Sequence, residues 1–256
     1  MNLNVAGISV IADPSAVGSQ RPTITLGTAG ADSDTIGITA ANVVLSGVLI
    51  IPNFLNIAAV IDVTTADVTI DNVEFRDASA VLNCVKAIRT STGADNACDG
   101  LTVKNCRFLG VGTSATTSLV NARSITGRLT VKNNSVDIVG TTATSGALVL
   151  ATSKALTGAV ISDNDVNVPL TTTTAGALIV AGAGTGIVKN NNIQIGGSAT
   201  DLLVTASSGL AQFNNLLSAV ADASGYLLPA ADALRSNINI LLADIKQRAT
   251  ILQVVC

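Results

Sequence analysis

Apolar and polar residues alternate with a period of two in a short phrase that returns five times along the chain. The copies are Val68-Thr-Ile-Asp-Asn-Val-Glu-Phe75, Leu101-Thr-Val-Lys-Asn-Cys-Arg-Phe108, Leu129-Thr-Val-Lys-Asn-Asn-Ser-Val136, Val160-Ile-Ser-Asp-Asn-Asp-Val166 and Ile187-Val-Lys-Asn-Asn-Asn-Ile193. Ile70, Val103, Val131 and Val188 fall on one face of a strand, and Asp71, Lys104, Lys132 and Lys189 on the other. With Asn72, Asn105, Asn133, Asn164 and Asn190 as markers, the steps are 33, 28, 31 and 26 residues. A nearly fixed period of this size is the mark of a solenoid.

A second apolar run follows each phrase by about fifteen residues, at Ser118-Leu-Val-Asn121, Ala147-Leu-Val-Leu150, Ala177-Leu-Ile-Val180 and Asp201-Leu-Leu-Val204. Its markers Val120, Val149, Ile179 and Leu203 step by 29, 30 and 24, tracking the first column. Between the columns lie Gly/Ser/Thr/Ala stretches such as Gly140-Thr-Thr-Ala-Thr-Ser-Gly146, which read as turns and short β-branched strands. The pattern predicts an all-β parallel β-helix of about 30 residues per coil and three strands per coil, with rungs about 4.8 Å apart. The leucine pattern is too sparse for a horseshoe, and abundant Thr, Val, Gly and Asn disfavour helical repeats.

Stacking the phrases sets outward residues of neighbouring coils side by side. Asp71 meets Lys104 and Glu74 meets Arg107, two opposite-charge pairs of roughly 0.2–1 kcal/mol each that would help to fix register. The Asn column is read as structural: Asn tolerates a left-handed turn, and stacked amides can hydrogen-bond along the ladder.

Coil-like sequence begins early, with strands expected in Val5-Ala-Gly-Ile-Ser-Val-Ile11, Arg21-Pro-Thr-Ile-Thr-Leu26, Ile36-Gly-Ile-Thr39 and Val43-Val-Leu-Ser-Gly-Val48. No amino-terminal cap is evident, so a truncated start or a covering chain is expected, because an open rung exposes core and unpaired backbone. The pattern divides the chain into a β-helix over 1–220 and a carboxy-terminal segment over 221–256. In that segment Pro229 opens a predicted helix with Leu234, Ile238, Leu241, Leu242 and Ile245 at helical spacing. This apolar stripe serves either as a cap on the last coil or as an oligomerisation or docking element.

Composition narrows the classes. The chain is 48% hydrophobic and only 12% charged, with 22 Gly, one Tyr, and neither Trp nor His. A net charge of -3 and an absence of basic runs argue against nucleic acid and against a membrane surface. Mean hydropathy is +0.55, yet Pro52, Asn53 and Asn56 interrupt the most apolar stretch, Gly47 to Val63, which therefore reads as successive buried strands. The amino terminus lacks the pattern of an export signal, so an intracellularly made soluble protein is expected. Cys84, Cys98, Cys106 and Cys256 form no CxxC and have no His beside them, so no metal and no cofactor is expected. Cys106 takes the place of Val73 as a core residue, and Cys84 and Cys98, flanking one loop, are expected to stay reduced.

Without His, acid–base or nucleophilic chemistry would fall to carboxylates, Lys, Arg or Tyr. Candidate sets are Asp71, Glu74, Lys104 and Arg107, or Asp163 and Asp165. The first set is internally paired and the second sits in the Asn turn. Glycosidase work also needs a defined carboxylate separation, so catalysis is not the leading expectation.

The phrases Val68–Phe75 and Leu101–Phe108 resemble the pectin-lyase-like right-handed parallel β-helix superfamily. More narrowly, Arg21-Pro-Thr-Ile-Thr-Leu26, Asp34-Thr-Ile-Gly-Ile-Thr-Ala-Ala-Asn-Val43, Asp99-Gly-Leu-Thr-Val103 and Ser224-Gly-Tyr-Leu-Leu-Pro-Ala230 resemble β-helix virion proteins of tailed bacteriophages. The resemblance spans about residues 5–230. It implies right-handed coils, a homotrimer, and a virion place reached after synthesis in the host cytoplasm. The lytic members' catalytic Asp and Arg motifs are not matched residue by residue. The expected function is a non-enzymatic capsid decoration or cement protein whose partners are its own copies and a capsid or other virion protein. The alternative is a tailspike-type module that binds or depolymerises a glycan. An adhesin or autotransporter passenger would require an export signal.

Overall fold

The computed structural model describes residues 1–12, 21–27, 35–54, 57–93, 96–111, 118–123, 127–139, 147–151, 156–168, 178–180, 184–195, 204–205 and 210–219. Strands follow one another in threes. The first two rungs are β1 (Asn2–Leu3), β2 (Ser9–Ile11), β3 (Thr23–Gly27) and β4 (Ile36–Ile38), β5 (Val44–Ser46), β6 (Leu49–Asn53). The third and fourth are β7 (Ile61–Val63), β8 (Thr69–Asp71), β9 (Glu74–Arg76) and β10 (Lys86–Thr90), β11 (Leu101–Lys104), β12 (Arg107–Gly110). The fifth and sixth are β13 (Ser118–Asn121), β14 (Leu129–Lys132), β15 (Ser135–Ile138) and β16 (Val149–Ala151), β17 (Ala159–Ser162), β18 (Asp165–Val168). The last two are β19 (Leu178–Val180), β20 (Gly186–Lys189), β21 (Asn192–Ile195) and β22 (Val204–Thr205), β23 (Leu210–Phe213), β24 (Leu216–Ala219).

Every third strand pairs in parallel with the next of its kind, giving three eight-stranded sheets. Sheet 1 runs from β1 to β22, sheet 2 from β2 to β23 and sheet 3 from β3 to β24. This is the expected all-β parallel solenoid. Its backbone donors and acceptors are satisfied between rungs rather than within an element, as a parallel sheet requires.

The core is a bundle of vertical columns. Ile36, Ile61, Ile88, Val120 and Val149 stack in sheet 1, and Leu45, Ile70, Val103, Val131, Ile161 and Val188 in sheet 2. Ile50, Phe75, Phe108, Val136, Val166 and Ile193 stack in sheet 3. All of these side chains are fully buried. β-Branched residues dominate because they fit a pleated surface with little loss of rotamer freedom. Phe75 and Phe108 meet edge to face with centroids 6.5 Å apart, a geometry worth about 0.5–1.5 kcal/mol beyond the area it buries. The apolar stretch Gly47 to Val63 supplies β6 and β7, as expected of successive buried strands.

The second apolar column needs a one-residue correction. Val120 pairs with Val149 as expected, but Val149 pairs with Leu178 rather than Ile179, and Leu178 with Val204. Ile179 is the partner of Leu150, and Leu203 lies outside the described residues. Leu178-Ile-Val180 and Leu202-Leu-Val204 are continuous apolar runs, so alternation did not mark which residue faces inward. The segment 221–256, with Leu234, Ile238, Leu241, Leu242 and Ile245, also lies outside the described residues. No helix among the described residues is long and apolar enough to cross a membrane.

Candidate functional site

The corner that joins sheet 2 to sheet 3 is made by a column of residues in the left-handed region. Asn72, Asn105, Asn133, Asp163, Asn190 and Asn214 have φ between 48° and 58°. Each of the first five donates its backbone N–H to the last strand residue of the next rung, from Asn72 onto Lys104 O (3.0 Å) to Asn190 onto Phe213 O (3.1 Å). Gly47 heads the column with φ 77°, where an added Cβ would fall 3.0 Å from the Ala12 Cβ. Asn and Asp are tolerated here because their short polar side chains offset the left-handed strain locally.

Asn164 does not belong to this column; Asp163 does. Asn164 is the next residue inward and only 2% exposed, in a second ladder with Asn134, Asn191 and Asn215. Along it Asn134 Nδ2 donates to Asn164 Oδ1 (2.9 Å), Asn164 Nδ2 to Asn191 Oδ1 (2.8 Å) and Asn191 Nδ2 to Asn215 Oδ1 (2.9 Å). Each Oδ1 also accepts a backbone N–H from the rung before, beginning with Cys106 N on Asn134 Oδ1 (2.9 Å). Each Nδ2 also donates to a strand carbonyl: Val103, Val131, Ile161 and Val188. In the two earlier rungs this inner position holds Val73 and the free, buried Cys106. The outer amides bond less evenly: Asn105 to Asp71 (2.8 Å), Asn133 to Asn105 (3.4 Å) and Asn190 to Asp163 (3.1 Å). The expected amide ladder therefore exists, one residue inward of most of the residues expected to form it. The doublets Asn133-Asn134, Asp163-Asn164, Asn190-Asn191 and Asn214-Asn215 were the signal for two columns.

Of the two expected charge pairs one forms. Lys104 Nζ reaches Asp71 Oδ2 at 3.2 Å. Glu74 and Arg107 are register partners in β9 and β12, but they do not pair. Arg76, two residues along the same strand and hence on the same face, donates to Glu74 Oε1 through Nε (3.0 Å) and a terminal nitrogen. Arg107 instead approaches Asp137 one rung further on, at 4.0 Å. The nearer, pre-aligned Arg76 takes the buried carboxylate and leaves Arg107 half-exposed. Two further pairs escaped sequence reasoning because their residues lie outside the Asn phrase. Arg89 holds Asp62 through two 2.6 Å bonds across sheet 1. Arg128 grips Asp99 with its backbone N–H (2.7 Å) and guanidinium (2.9 Å), which holds the Asp99 carboxyl below its ordinary range. A planar guanidinium matches a carboxylate in this two-point way.

Beside the inner Asn ladder, a charged residue also lies inside the solenoid. Lys86 opens β10, two residues before the inward-facing Ile88, and pairs in register with Ser118 of β13, two before the inward-facing Val120. Parity therefore points both side chains inward. Lys86 is 6% exposed and Ser118 fully buried, and neither Lys86 Nζ nor Ser118 Oγ has a hydrogen-bond partner. The buried Asn83 Oδ1 is likewise unpartnered, although its Nδ2 donates to Ala80 O (2.8 Å). Burial lowers the Lys86 amine to about 8. At the same corner burial, reinforced by Asp77, pushes the Cys84 thiol well above its ordinary value. Asp77 accepts the backbone N–H groups of Cys84 and Val111, both at 3.0 Å. Cys84 and Cys98 are both free and buried.

The carboxylates proposed for chemistry are dispersed or engaged. Asp165 points outward from sheet 3 and accepts Asn192 Nδ2 at 2.8 Å. Asp163 accepts hydrogen bonds from Ser162 and Asn190, and these, with Lys189 and Lys132 nearby, lower its carboxyl. Among the described residues no group of three or more His, Cys, Asp and Glu is placed to hold a metal. Comparison of the chain with protein-family models, with curated proteins and with solved structures finds no match.

Proposed function

We propose that this chain is a non-enzymatic structural protein of a tailed-bacteriophage virion, a capsid decoration or cement protein that acts through its solenoid faces as a homotrimer. The observation that carries this reading is the engagement of the polar exterior with itself. Asp71 with Lys104, Glu74 with Arg76, Asp62 with Arg89 and Asp99 with Arg128 are mutual partners, and all but Glu74–Arg76, which lies within β9, tie one rung to the next. A rigid parallel stack with few free charges suits packing against sister chains and a shell, where desolvating unpaired charge would be costly. The resemblance of residues 21–26, 34–43, 99–103 and 224–230 to phage β-helix virion proteins supplies the virion context.

The competing tailspike-type reading draws on the amide and carboxylate rows outside sheet 3: Asp137, Asp165, Asn167, Asn192 and Gln194. Two measurements separate them. Light scattering at micromolar concentration together with co-sedimentation on capsids should show an oligomer that binds capsids; a monomer without capsid affinity overturns the cement reading. Cleavage of a host polysaccharide that Asp165→Asn or Asp137→Asn abolishes would establish the tailspike reading instead.

A further inference from the structure

The faces of sheets 2 and 3 differ in charge at the same height along the solenoid. On the outside of sheet 2 the fifth to seventh rungs present Lys132, Ser162 and Lys189 in one column and Thr130, Val160 and Ile187 in the other. Lys132 and Lys189 take part in none of the ion pairs among the described residues. Val160 and Ile187 are 38% and 42% exposed, so this face joins to a small apolar strip two cations that lie near Asp163 but outside ion-pair distance. On the outside of sheet 3 the same rungs present Ser135, Asp165 and Asn192 in one column and Asp137, Asn167 and Gln194 in the other. Both acids there bond to neighbouring amides, Asp165 to Asn192 at 2.8 Å and Asp137 to Asn167 at 3.5 Å. Carboxylate lone pairs remain after such bonds.

We infer that the sheet 2 face of one copy packs on the sheet 3 face of a second copy of this chain, with Lys132 and Lys189 opposite Asp137 and Asp165. The inference rests on the self-association proposed above and adds which surfaces meet. A closed ring about an axis parallel to the solenoid sets each rung beside the same rung of its neighbour, because rotation about such an axis does not change height. At the fifth rung Lys132 then faces Asp137. Lys189, on the seventh, lies one rung from Asp165, about 4.8 Å along the stack and within a lysine's reach. The contact is heterologous, so each copy offers one face of each kind and the ring closes without using one patch twice. Other nearby charges do not reverse the match. Lys104 is held by Asp71 and Arg107 leans on Asp137, while Asp163 sits on the corner, takes hydrogen bonds from Ser162 and Asn190 and feels Lys132 and Lys189 without forming an ion pair with either.

Charge reversal on each face tests this with the full chain. Lys132→Glu with Lys189→Glu makes both faces acidic, and Asp137→Lys with Asp165→Lys makes both basic. Sedimentation velocity should show each variant alone dissociating at least tenfold more readily than the wild type. Mixing the two should restore assembly, and one chain carrying all four changes should assemble by itself. Circular dichroism and thermal melting of each variant establish that it folds. Folded variants that assemble like the wild type overturn the assignment of these faces while leaving self-association intact. A wild-type chain that stays monomeric at all concentrations removes the self-association reading as well.

Discussion

A lysine inside a β-solenoid is expensive at neutral pH, and Lys86 shows how the cost is carried. An amine with no hydrogen-bond partner in a low-dielectric interior disfavours its charged form, which lowers the Lys86 value from 10.5 to about 8. The sign of the resulting pH dependence follows from proton counts. Below pH 8 the amine is charged in both states and the penalty is full. Between 8 and 10.5 the native state releases the proton while the unfolded chain keeps it, so this group's contribution to stability improves with rising pH. The full difference is on the order of 3 kcal/mol. Cys84 and Cys106 work in the opposite direction, since burial raises both thiols, Cys106 to about 12, and the unfolded state ionises first. Lys86→Met separates the two effects. The variant should be more stable than wild type at pH 7 by about 2–4 kcal/mol, and the gap should close towards pH 10.5. Urea titrations of both proteins at pH 7, 8.5 and 10 read it directly; a gap that does not change with pH would mean that the amine is not desolvated.

At the level of the element, the two Asn columns separate by what each side chain supports. An outer Asn secures a left-handed turn, a role Gly fills as well at Gly47. An inner Asn supplies three or four bonds to neighbouring rungs that no apolar residue can replace. Asn164→Ala removes the acceptor of Asn134 N and Asn134 Nδ2 and the donor to Val131 O and Asn191 Oδ1. It should cost about 2–4 kcal/mol, because buried groups are left unpaired. Asn105→Gly should change stability by no more than about 1 kcal/mol, since its turn geometry is preserved. Equal losses in denaturant midpoint for the two variants would contradict this separation. The same contrast shows how much was legible in the sequence. The period, the three strands and the inward column Ile70, Val103, Val131, Val188 could be read because β-branched and polar residues alternate through most of the copies. Asp163 against Asn164, and Leu178 against Ile179, could not be read, because adjacent residues of like chemistry satisfy either register. The failure of Glu74 to pair with Arg107 was hidden for another reason: Arg76 lies two residues away on the same strand, and the expected pairing considered only neighbours between coils.

Across the whole molecule, stability is transmitted rung by rung, so damage should spread along the stack rather than unfold everything together. Gly186 is the place to test this. It opens β20 with φ 144°, opposite Ala159 in β17, and a Cβ there would lie 2.1 Å from Ala159 O and 2.6 Å from Ala159 N. No side-chain rotation relieves a clash with backbone, so Gly186→Ala must move β20 away from β17. The inner Asn ladder crosses the same boundary between Asn164 and Asn191, so strand displacement there should loosen the last described rungs together. Hydrogen exchange should show lost protection in β20, β21 and β23, with β8, β11 and β14 close to wild type. The cores of those earlier strands contact only their own neighbours in the stack, which is why they should keep their protection. A uniform loss across all three sheets would instead mean that the solenoid unfolds as one cooperative unit, with coupling between rungs stronger than the stability of any single one.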